Sequence, residues 1–527
     1  MADGSRSSSG SKTPAWDRVA MPSVADLIFV ALLCAIVFTP LSVRLLGDAG
    51  IGWHIRAGQQ ILATHAIPRV DSFSSTMAGR PWFAWEWLYD LLVGQLEGVL
   101  GLNGVVWLTA VVSAAVFAWT FRLVVGRGAN MFVALVLVLL ALSASMIHFL
   151  ARPHVISWLF TLAWFRILDS SQQDAGDEQG ARGRKQRKLW ALPLLMMLWV
   201  NVHGGFVVGF VLLGIFLVGA GWDWFRAKEG RIEELLQKAA ARKRARDLTW
   251  AAFLSLGASL LNPYGWKLHW HVCSYLSNHF LIDRIDEFRS PNFHGVAQRC
   301  FLLLLLITLA ALATRGRELR LTQVFTVLFA VFSGLYASRN IPVSSILLVM
   351  VVAPLVPAAG LGRVFFQRMG AVEADLRGHV WPVLAVIITL AIAANGGRAG
   401  SDLLMDAHFD SRRMPVEAVN YLEKSELKGP VLSADYWGGY LIYRLYPKIQ
   451  VVVDDRHDLY GEEFLRPYLK MMRGERGWED FLQAHPASCL LLPRDAALAN
   501  ILIETKRWKT IYADDVAIAL VHQAANP

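Results

Sequence analysis

The sequence predicts an all-α polytopic membrane bundle of about 11 transmembrane helices, followed by a small α/β domain. Hydrophobic residues make up 55% of the 527 residues and charged residues only 18%, with a mean hydropathy of +0.40. Long apolar stretches alternate with polar connectors as far as residue 395. After residue 396, short apolar runs alternate with amphipathic segments instead. These observations exclude an ordinary soluble protein and divide the chain into a membrane region and an outer domain.

The membrane region, residues 24–395, follows a Ser- and Gly-rich stretch that has no signal-peptide cleavage pattern. We predict that residues 1–23 are a disordered cytoplasmic tail. Some of the spans that follow are short for a full crossing, and neighbouring helices would have to bury their ends. The predicted spans are 24–46, 91–121, 131–149, 153–168, 189–203, 206–222, 248–262, 300–314, 321–337, 341–357 and 380–395.

Basic residues are concentrated in one set of connectors, which the positive-inside rule assigns to the cytoplasm. These are Arg122 with Arg127, Arg182–Lys188, Arg226–Arg246, Arg315–Arg317 and Arg363 with Arg368. The alternate connectors then face outward: 47–90, 148–154, 201–205, 262–299, 338–340 and the chain after 396. The N-terminus is therefore expected inside and the C-terminal domain outside. This topology explains the net charge of +9, and nucleic acid is not expected as a partner.

The C-terminal domain, residues 396–527, is predicted to alternate short strands with helices. Strands are expected at 431–433, 449–453, 489–492 and 516–521, and helices at 414–425, 462–473 and 495–507. Two polar segments, 435–440 and 453–461, follow predicted strands. They fit either ligand contact at strand ends or a structural ion-pair corner, and both interpretations stay open.

The first outer loop, 47–90, carries the densest polar signal. Asp48 follows the first span, and His54 and Arg56 lie on a stretch predicted as an interfacial helix. A carboxylate here, including Asp71 or Glu86, could act as a general base or hold a divalent cation, and Arg or His could bind phosphate. The tryptophans 82, 85 and 87 also fit simple anchoring at the headgroup level.

Polar residues in the other outer connectors would complete a ring around one cavity. These are Arg152, His154, Asn201, His203, Asn262, Tyr264, Glu287 and Arg339. Four stretches within the predicted spans contain no acidic or basic residue: 131–147, 300–314, 321–337 and 380–394. That absence argues against an ion-coupled transporter, which needs ionisable groups near the midplane.

An Asp directly after the first span, in a long outer loop with an interfacial helix, resembles the GT-C class of membrane glycosyltransferases. The resemblance extends to a group of bacterial multipass proteins of that type and covers the chain to about residue 360. The segments that carry it are Trp53–Gly58, Pro68–Ser74, Arg80–Trp82, Glu86–Leu88, Arg152–His154, Trp199–Phe206 and Leu261–Gly265.

The resemblance implies a polyprenyl-phosphate-linked sugar donor, no sugar nucleotide, and transfer on the outer side, often with inversion at the sugar carbon. By position, Asp48 matches the first-loop carboxylate of the class, which acts as the base. Many members carry a second acidic residue two positions later, and here that position is Gly50. Asp71 or Glu86 could substitute in a metal site, or the enzyme needs no metal.

The leading hypothesis is a bacterial inner-membrane glycosyltransferase acting on a glycan, lipid or protein acceptor. The catalytic candidates are Asp48, His54 and Glu86, and the donor phosphate would be held by Arg152, Arg339 or His154. The other substrate-binding candidates are Arg56, Asp71, Asn201, His203, Asn262, Tyr264 and Glu287. No cofactor is required by the sequence, and a divalent cation is left open. A flippase for lipid-linked glycans and a noncatalytic membrane scaffold are the alternatives.

Overall fold

The computed structural model describes residues 17–172, 187–228, 230–283, 285–356, 363–376 and 379–523. Within these ranges, six helical segments are long and apolar enough to cross a membrane. They are Arg18–Val37, Leu102–Gly126, Met131–His148, Gly204–Arg226, Val296–Glu318 and Ser338–Leu355. Shorter apolar helices cover Lys188–Trp199, Leu321–Tyr336 and Val380–Ala394. The helical membrane fold with a small C-terminal sheet domain is confirmed, and the count of about 11 spans stays a prediction.

The α-helices of the membrane region run in chain order from α1 to α18. They are α1 Asp17–Ala20, α2 Val24–Val37, α3 Leu41–Leu45, α4 Ile51–Thr64, α5 Trp87–Leu100, α6 Leu102–Gly126, α7 Met131–Ser145, α8 His154–Ser170, α9 Leu192–Trp199, α10 Val207–Arg226, α11 Ile232–Ser259, α12 Trp266–Leu276, α13 His279–Ile282, α14 Val296–Arg315, α15 Leu321–Tyr336, α16 Ile341–Val352, α17 Arg363–Asp375 and α18 Val380–Ala394.

Two predicted spans differ clearly from the helices of the structure. The predicted span 91–121 is two helices, α5 and α6, because the chain breaks at Gly101, whose φ of +62° favours glycine. The predicted span 248–262 is the last part of the longer helix α11. Residues 1–16 of the predicted tail, and 182–186 of one basic connector, lie outside the described residues.

The first outer loop contains the predicted helix, α4, but protein covers it. Ile51 and Ile55 are fully buried, and α4 packs against α5 on one side and the C-terminal domain on the other. Its glycines permit this close approach: a Cβ at Gly58 would overlap the backbone of Asp90 in α5. Its apolar side, expected to face the membrane interface, packs into the protein core instead.

The C-terminal domain is built on a four-stranded sheet in the order β3-β4-β6-β5, with β3 and β4 parallel and the other pairs antiparallel. A short hairpin, β1 with β2, precedes it. The strands are β1 Arg398–Ala399, β2 Asp402–Leu403, β3 Val431–Ser433, β4 Cys489–Pro493, β5 Trp508–Ala513 and β6 Ala517–His522. The helices are α19 Val416–Lys424, α20 Asp435–Leu445, α21 His457–Met472, α22 Trp478–Ala484 and α23 Ala497–Glu504.

One predicted strand, 449–453, does not form as a strand. Only Val451 pairs, with Val431 of β3 on one side and Ser74 of the first outer loop on the other. The amide of Ser75 donates to the carbonyl of Val451 at 2.8 Å. The first outer loop therefore adds to the edge of the C-terminal sheet, and the two parts of the chain share backbone hydrogen bonds.

A buried arginine fastens the same junction. Arg456 donates to both carboxylate oxygens of Asp454 at 2.8 and 2.7 Å, and its Nη1 lies 2.7 Å from Asp71 Oδ1 in the first outer loop. Its guanidinium also lies over the rings of Trp82 and Phe73, at 4.7 and 5.2 Å. Because all three charged side chains are buried, the junction holds only if every charge keeps its partner.

Candidate active site

At the centre of the candidate site, one guanidinium lies between two carboxylates. Arg152, in the turn before α8, donates from Nε to Asp48 Oδ2 at 2.9 Å and from Nη2 to Asp455 Oδ2 at 3.1 Å. Asp48 comes from the first outer loop, and Asp455 comes from the C-terminal domain. The side chains of Asp48 and Arg152 are each 23% exposed, so this centre opens to the surface. We call Asp48, Arg152 and Asp455 the charge centre.

The absence of a side chain at Gly50 leaves room for Arg152 and Asp455 to come together. A Cβ at position 50 would overlap Arg152 Nη1 and Asp455 Oδ2, so any side chain here would displace both. The amide of Gly50 donates to Asp48 Oδ1 at 2.8 Å, which fixes the carboxylate against the start of α4. On the other side, the backbone of Gly439 in α20 contacts Ala49 and Gly50. A side chain at position 50 would therefore push Arg152 and Asp455 out of their present contacts.

His54 lies directly behind the charge centre, with its side chain 1% exposed. Its Nδ1 is 2.6 Å from Asp90 Oδ1, and its Nε2 is 3.3 Å from Arg152 Nη1. Arg152 can only donate, so Nε2 accepts and Nδ1 carries the proton toward Asp90. Burial and the nearby Arg152 lower the pKa of His54 well below its usual value. The ring is therefore a neutral acceptor that orients the guanidinium.

Glu86 occupies the space between two histidines. Its oxygens lie 3.7 Å from His54 Nε2 and 3.8 Å from His203 Nε2. His203 Nδ1 accepts from the amide of Gly205 at 3.0 Å and lies 2.8 Å from the hydroxyl of Ser157, so its proton sits on Nε2, facing Glu86. Burial raises the pKa of Glu86 to about 8, although nearby arginines oppose the shift. Glu86 is therefore protonated near neutral pH.

Arg339 is a second cation of the candidate site. It makes no ion pair within the described part of the chain, and its guanidinium stacks on the ring of Phe288 at 4.4 Å. Nearby, His148 Nδ1 lies 3.8 Å from Glu287 Oε1. Burial alone would raise the pKa of Glu287, but His148, Arg339 and Arg152 outweigh it and lower the pKa. His154 joins this group through its Nε2, which is 2.9 Å from the carbonyl of His148.

Tyr264 lines a cavity of about 300 Å³ beside the first outer loop. Its hydroxyl accepts from the amide of Ala84 at 2.8 Å and donates to the carbonyl of Pro68 at 3.2 Å. The lining combines aromatic rings with two cations and contains no acidic residue. The lining residues are Arg69, Pro81, Trp82, Phe83, Pro263, Tyr264 and Lys267.

Four of the residues predicted to bind substrate have structural partners instead. Arg56 donates to the carbonyl of Tyr443 at 2.8 Å and holds α20 against α4, and Asp71 pairs with the buried Arg456. Asn201 accepts from Trp87 Nε1 at 2.7 Å and donates to two backbone carbonyls. Asn262 closes its own turn through Ser259, Tyr264 and Gly265.

Two important residues are missing from the sequence-based candidates. Asp90 follows Glu86 by four positions, a spacing that places both on one side of a helix, so the pair could have been found from the sequence. Asp455 belongs to the polar segment 453–461, for which ligand contact and ion pairing were both left open. The structure shows ion pairing for both: Asp454 and Arg456 form the junction, and Asp455 pairs with Arg152 in the charge centre.

A divalent cation does not fit the charge centre as it stands. Two carboxylates and one imidazole form a common metal-ligand set, but each faces a nitrogen of the Arg152 guanidinium. A dication placed among them would lie against that fixed positive charge. Across the described ranges, no group of three or more His, Cys, Asp or Glu side chains is arranged to hold a metal ion.

Comparison with known proteins identifies the fold of this chain. No protein-family model matches the chain, and no curated protein sequence matches it significantly. The oligosaccharyltransferase of Archaeoglobus fulgidus, in a structure with a tethered acceptor peptide, aligns with a TM-score of 0.54 and 11% identity, over 89% of this chain and 69% of that chain. ArnT from Cupriavidus metallidurans, in the apo state, aligns with a TM-score of 0.51 and 13% identity, over 95% of this chain and 98% of that chain. Both are GT-C glycosyltransferases, and this chain has the GT-C fold.

Proposed function

We propose that this protein is a membrane glycosyltransferase that moves a sugar from a polyprenyl-phosphate donor to an acceptor at the outer membrane face. The observation that carries the proposal is the charge centre, in which Asp48 and Arg152, from connectors of the membrane region, meet Asp455 of the C-terminal domain. The GT-C fold supports it, since the two aligned proteins are transferases. Fold alone does not identify a substrate, so the residues must carry the rest of the argument.

Asp48 is the proposed base because it is the most accessible of the three catalytic candidates. Its side chain is 23% exposed, against 1% for His54 and 10% for Glu86. The acceptor hydroxyl attacks the anomeric carbon, the bond from that carbon to the phosphate oxygen breaks, and the phosphate leaves with the electron pair. Asp48 takes the hydroxyl proton. His54 and Glu86 are positioning residues in this scheme, since they act through Arg152 and His203.

Arg339 is the proposed phosphate ligand. A guanidinium with no carboxylate partner among the described residues is free to make charge-assisted hydrogen bonds to a phosphate. The ring of Phe288 stacks against the guanidinium, with Cζ of Arg339 4.4 Å from the ring centroid. Arg152 contributes positive charge to the same region, but Asp48, Asp455 and His54 already engage its nitrogens. His154 is the weaker phosphate candidate because its Nε2 faces the carbonyl of His148 at 2.9 Å.

The C-terminal domain contributes to the reaction in this proposal because Asp455 belongs to it. Asp455 Oδ1 is buried and has no hydrogen-bond partner in the described part of the chain. Burial raises the pKa of Asp455 to about 6, with Arg152 opposing the rise. We propose that this free oxygen accepts a hydrogen bond from a sugar hydroxyl.

The test is transfer by detergent-purified protein incubated with a panel of radiolabelled polyprenyl phosphate sugars. We expect wild-type protein to release or transfer label from one donor, and Asp48→Asn to lose at least about a hundredfold, the usual value of a general base. Asp402→Asn, an exposed carboxylate change in the hairpin of the outer domain, is the matched control. Equal rates for wild type and Asp48→Asn would refute the base assignment. Saturable donor binding without turnover in either protein would favour a flippase.

A further inference from the structure

Asp48, Asp455 and His54 are of residue types that bind metals, and each contacts a different nitrogen of the Arg152 side chain. Arg152 Nε meets Asp48 Oδ2 at 2.9 Å, and Nη2 meets Asp455 Oδ2 at 3.1 Å. The third nitrogen, Nη1, lies 3.3 Å from His54 Nε2. One planar guanidinium therefore contacts two carboxylates and an imidazole.

We infer that Arg152 is the built-in cation of this site and supplies the positive charge that a divalent metal ion supplies among ligands of this kind. The inference concerns the site of the proposed function and rests on that function for the role of the charge. The positive charge keeps two carboxylates from separate parts of the chain within reach of one another. It belongs to the chain, so the site does not depend on the supply of a metal.

Position 50 supports this assignment independently. A side chain at Gly50 would overlap both the guanidinium and Asp455, so a third carboxylate at this position would have to displace Arg152. The guanidinium Cζ lies 2.6 Å from the place of a Cβ at that position. The backbone of the first outer loop is thus shaped around the arginine.

The orientation of His54 supports it as well. Asp90 holds the proton on Nδ1, which leaves the lone pair of Nε2 directed at Arg152. An imidazole fixed by a carboxylate at its other nitrogen is the usual arrangement of a histidine that ligates a metal. Here Nε2 of His54 accepts an N–H of Arg152 instead.

The test is binding of Mn²⁺ to the purified full-length protein, followed by electron paramagnetic resonance in the absence of donor and acceptor. We expect wild type and Asp48→Asn to bind the same amount of Mn²⁺. Arg152→Ala should gain one site per chain, because Asp48, Asp455 and His54 lose their cation. The double variant Arg152→Ala with Asp455→Asn should lose that gain.

Arg127→Ala is the matched control, because it removes an arginine from a pair with only one carboxylate, Asp169, at 2.6 Å. It should gain no site. A Mn²⁺ site in the wild type that Asp48→Asn removes would overturn the inference, and so would an Arg152→Ala variant that folds but gains no site. If Arg152→Ala does not fold, the comparison of wild type with Asp48→Asn still decides. Since none of these measurements uses sugar transfer, they stand even if the proposed function fails.

Discussion

Asp48 of the first outer loop and Asp455 of the C-terminal domain face the same guanidinium, at 2.9 and 3.1 Å. Two carboxylates that face one group repel each other unless that group is a cation, and the Arg152 guanidinium supplies the positive charge. The outer domain is therefore a wall of the candidate site, joined to it by charge as well as by the shared sheet edge.

The first prediction concerns Asp455. Asp455→Asn keeps the shape of the side chain but removes one of the two charges that hold Arg152. We expect transfer to fall by roughly 10-fold or more, since a hydrogen bond to a charged group contributes about 1.5–3 kcal/mol. Donor turnover by the purified variant is the measurement, with circular dichroism to show that the fold is kept. Wild-type turnover would remove Asp455 from the site.

The second prediction concerns Arg339. Arg339→Gln should raise the KM for the donor by roughly 10- to 100-fold, because one set of charge-assisted hydrogen bonds to phosphate is lost. Arg339→Lys should recover part of that loss, since it keeps the charge but not the planar fork. Arg299→Gln, an exposed arginine change at the start of α14, should leave KM unchanged. A fall in kcat alone would contradict a role in donor binding.

The third prediction is a pH dependence that originates at Glu86. Burial raises the pKa of this carboxyl from 4.5 to about 8, so between these values the folded chain holds a proton that the unfolded chain releases. Stability should therefore fall as the pH rises through this window, by at most about 1.4 kcal/mol per unit. Glu86→Gln, which imitates the protonated acid, should be less sensitive to pH there.

Thermal unfolding in detergent from about pH 5 to about pH 9 measures that difference, within the window set by the ordinary and raised pKa. Glu426→Gln, a change at an exposed carboxylate of the outer domain, is the control and should follow the wild type. Parallel profiles for wild type and Glu86→Gln would show that Glu86 is ionised in the folded protein.

The fourth prediction concerns the junction between Asp71 and Arg456. Asp71→Asn leaves Arg456 with Asp454 as its only carboxylate partner, and breaking a buried pair costs roughly 3–5 kcal/mol. We expect a lower unfolding temperature and faster proteolysis of the outer domain. Asp406→Asn, at an exposed Asp–His pair in the same domain, should change neither. An unchanged unfolding temperature in Asp71→Asn would show that the junction contributes little.

Sequence periodicity predicted the membrane helices and most elements of the outer domain, because hydropathy and alternation are local signals. The polar residues of the predicted outer connectors also identified Asp48, His54, Glu86, Arg152 and His203, which the structure brings together. The roles of Asp71 and Arg56 were not readable, since their partners, Arg456 and Tyr443, are far away in the sequence. Residue type shows that a side chain is charged, but only the fold shows which charge it meets.

The position of Asp455 late in the chain has a consequence for biogenesis. Asp48, Arg152 and Arg339 are synthesised before the segment that carries Asp455 and Arg456. Until that segment has folded onto the first outer loop, Arg152 has only one of its two carboxylates and Asp71 has no counter-ion. Assembly of the charge centre therefore follows synthesis of the C-terminal domain, and the proposed transfer activity can begin only after that domain has folded.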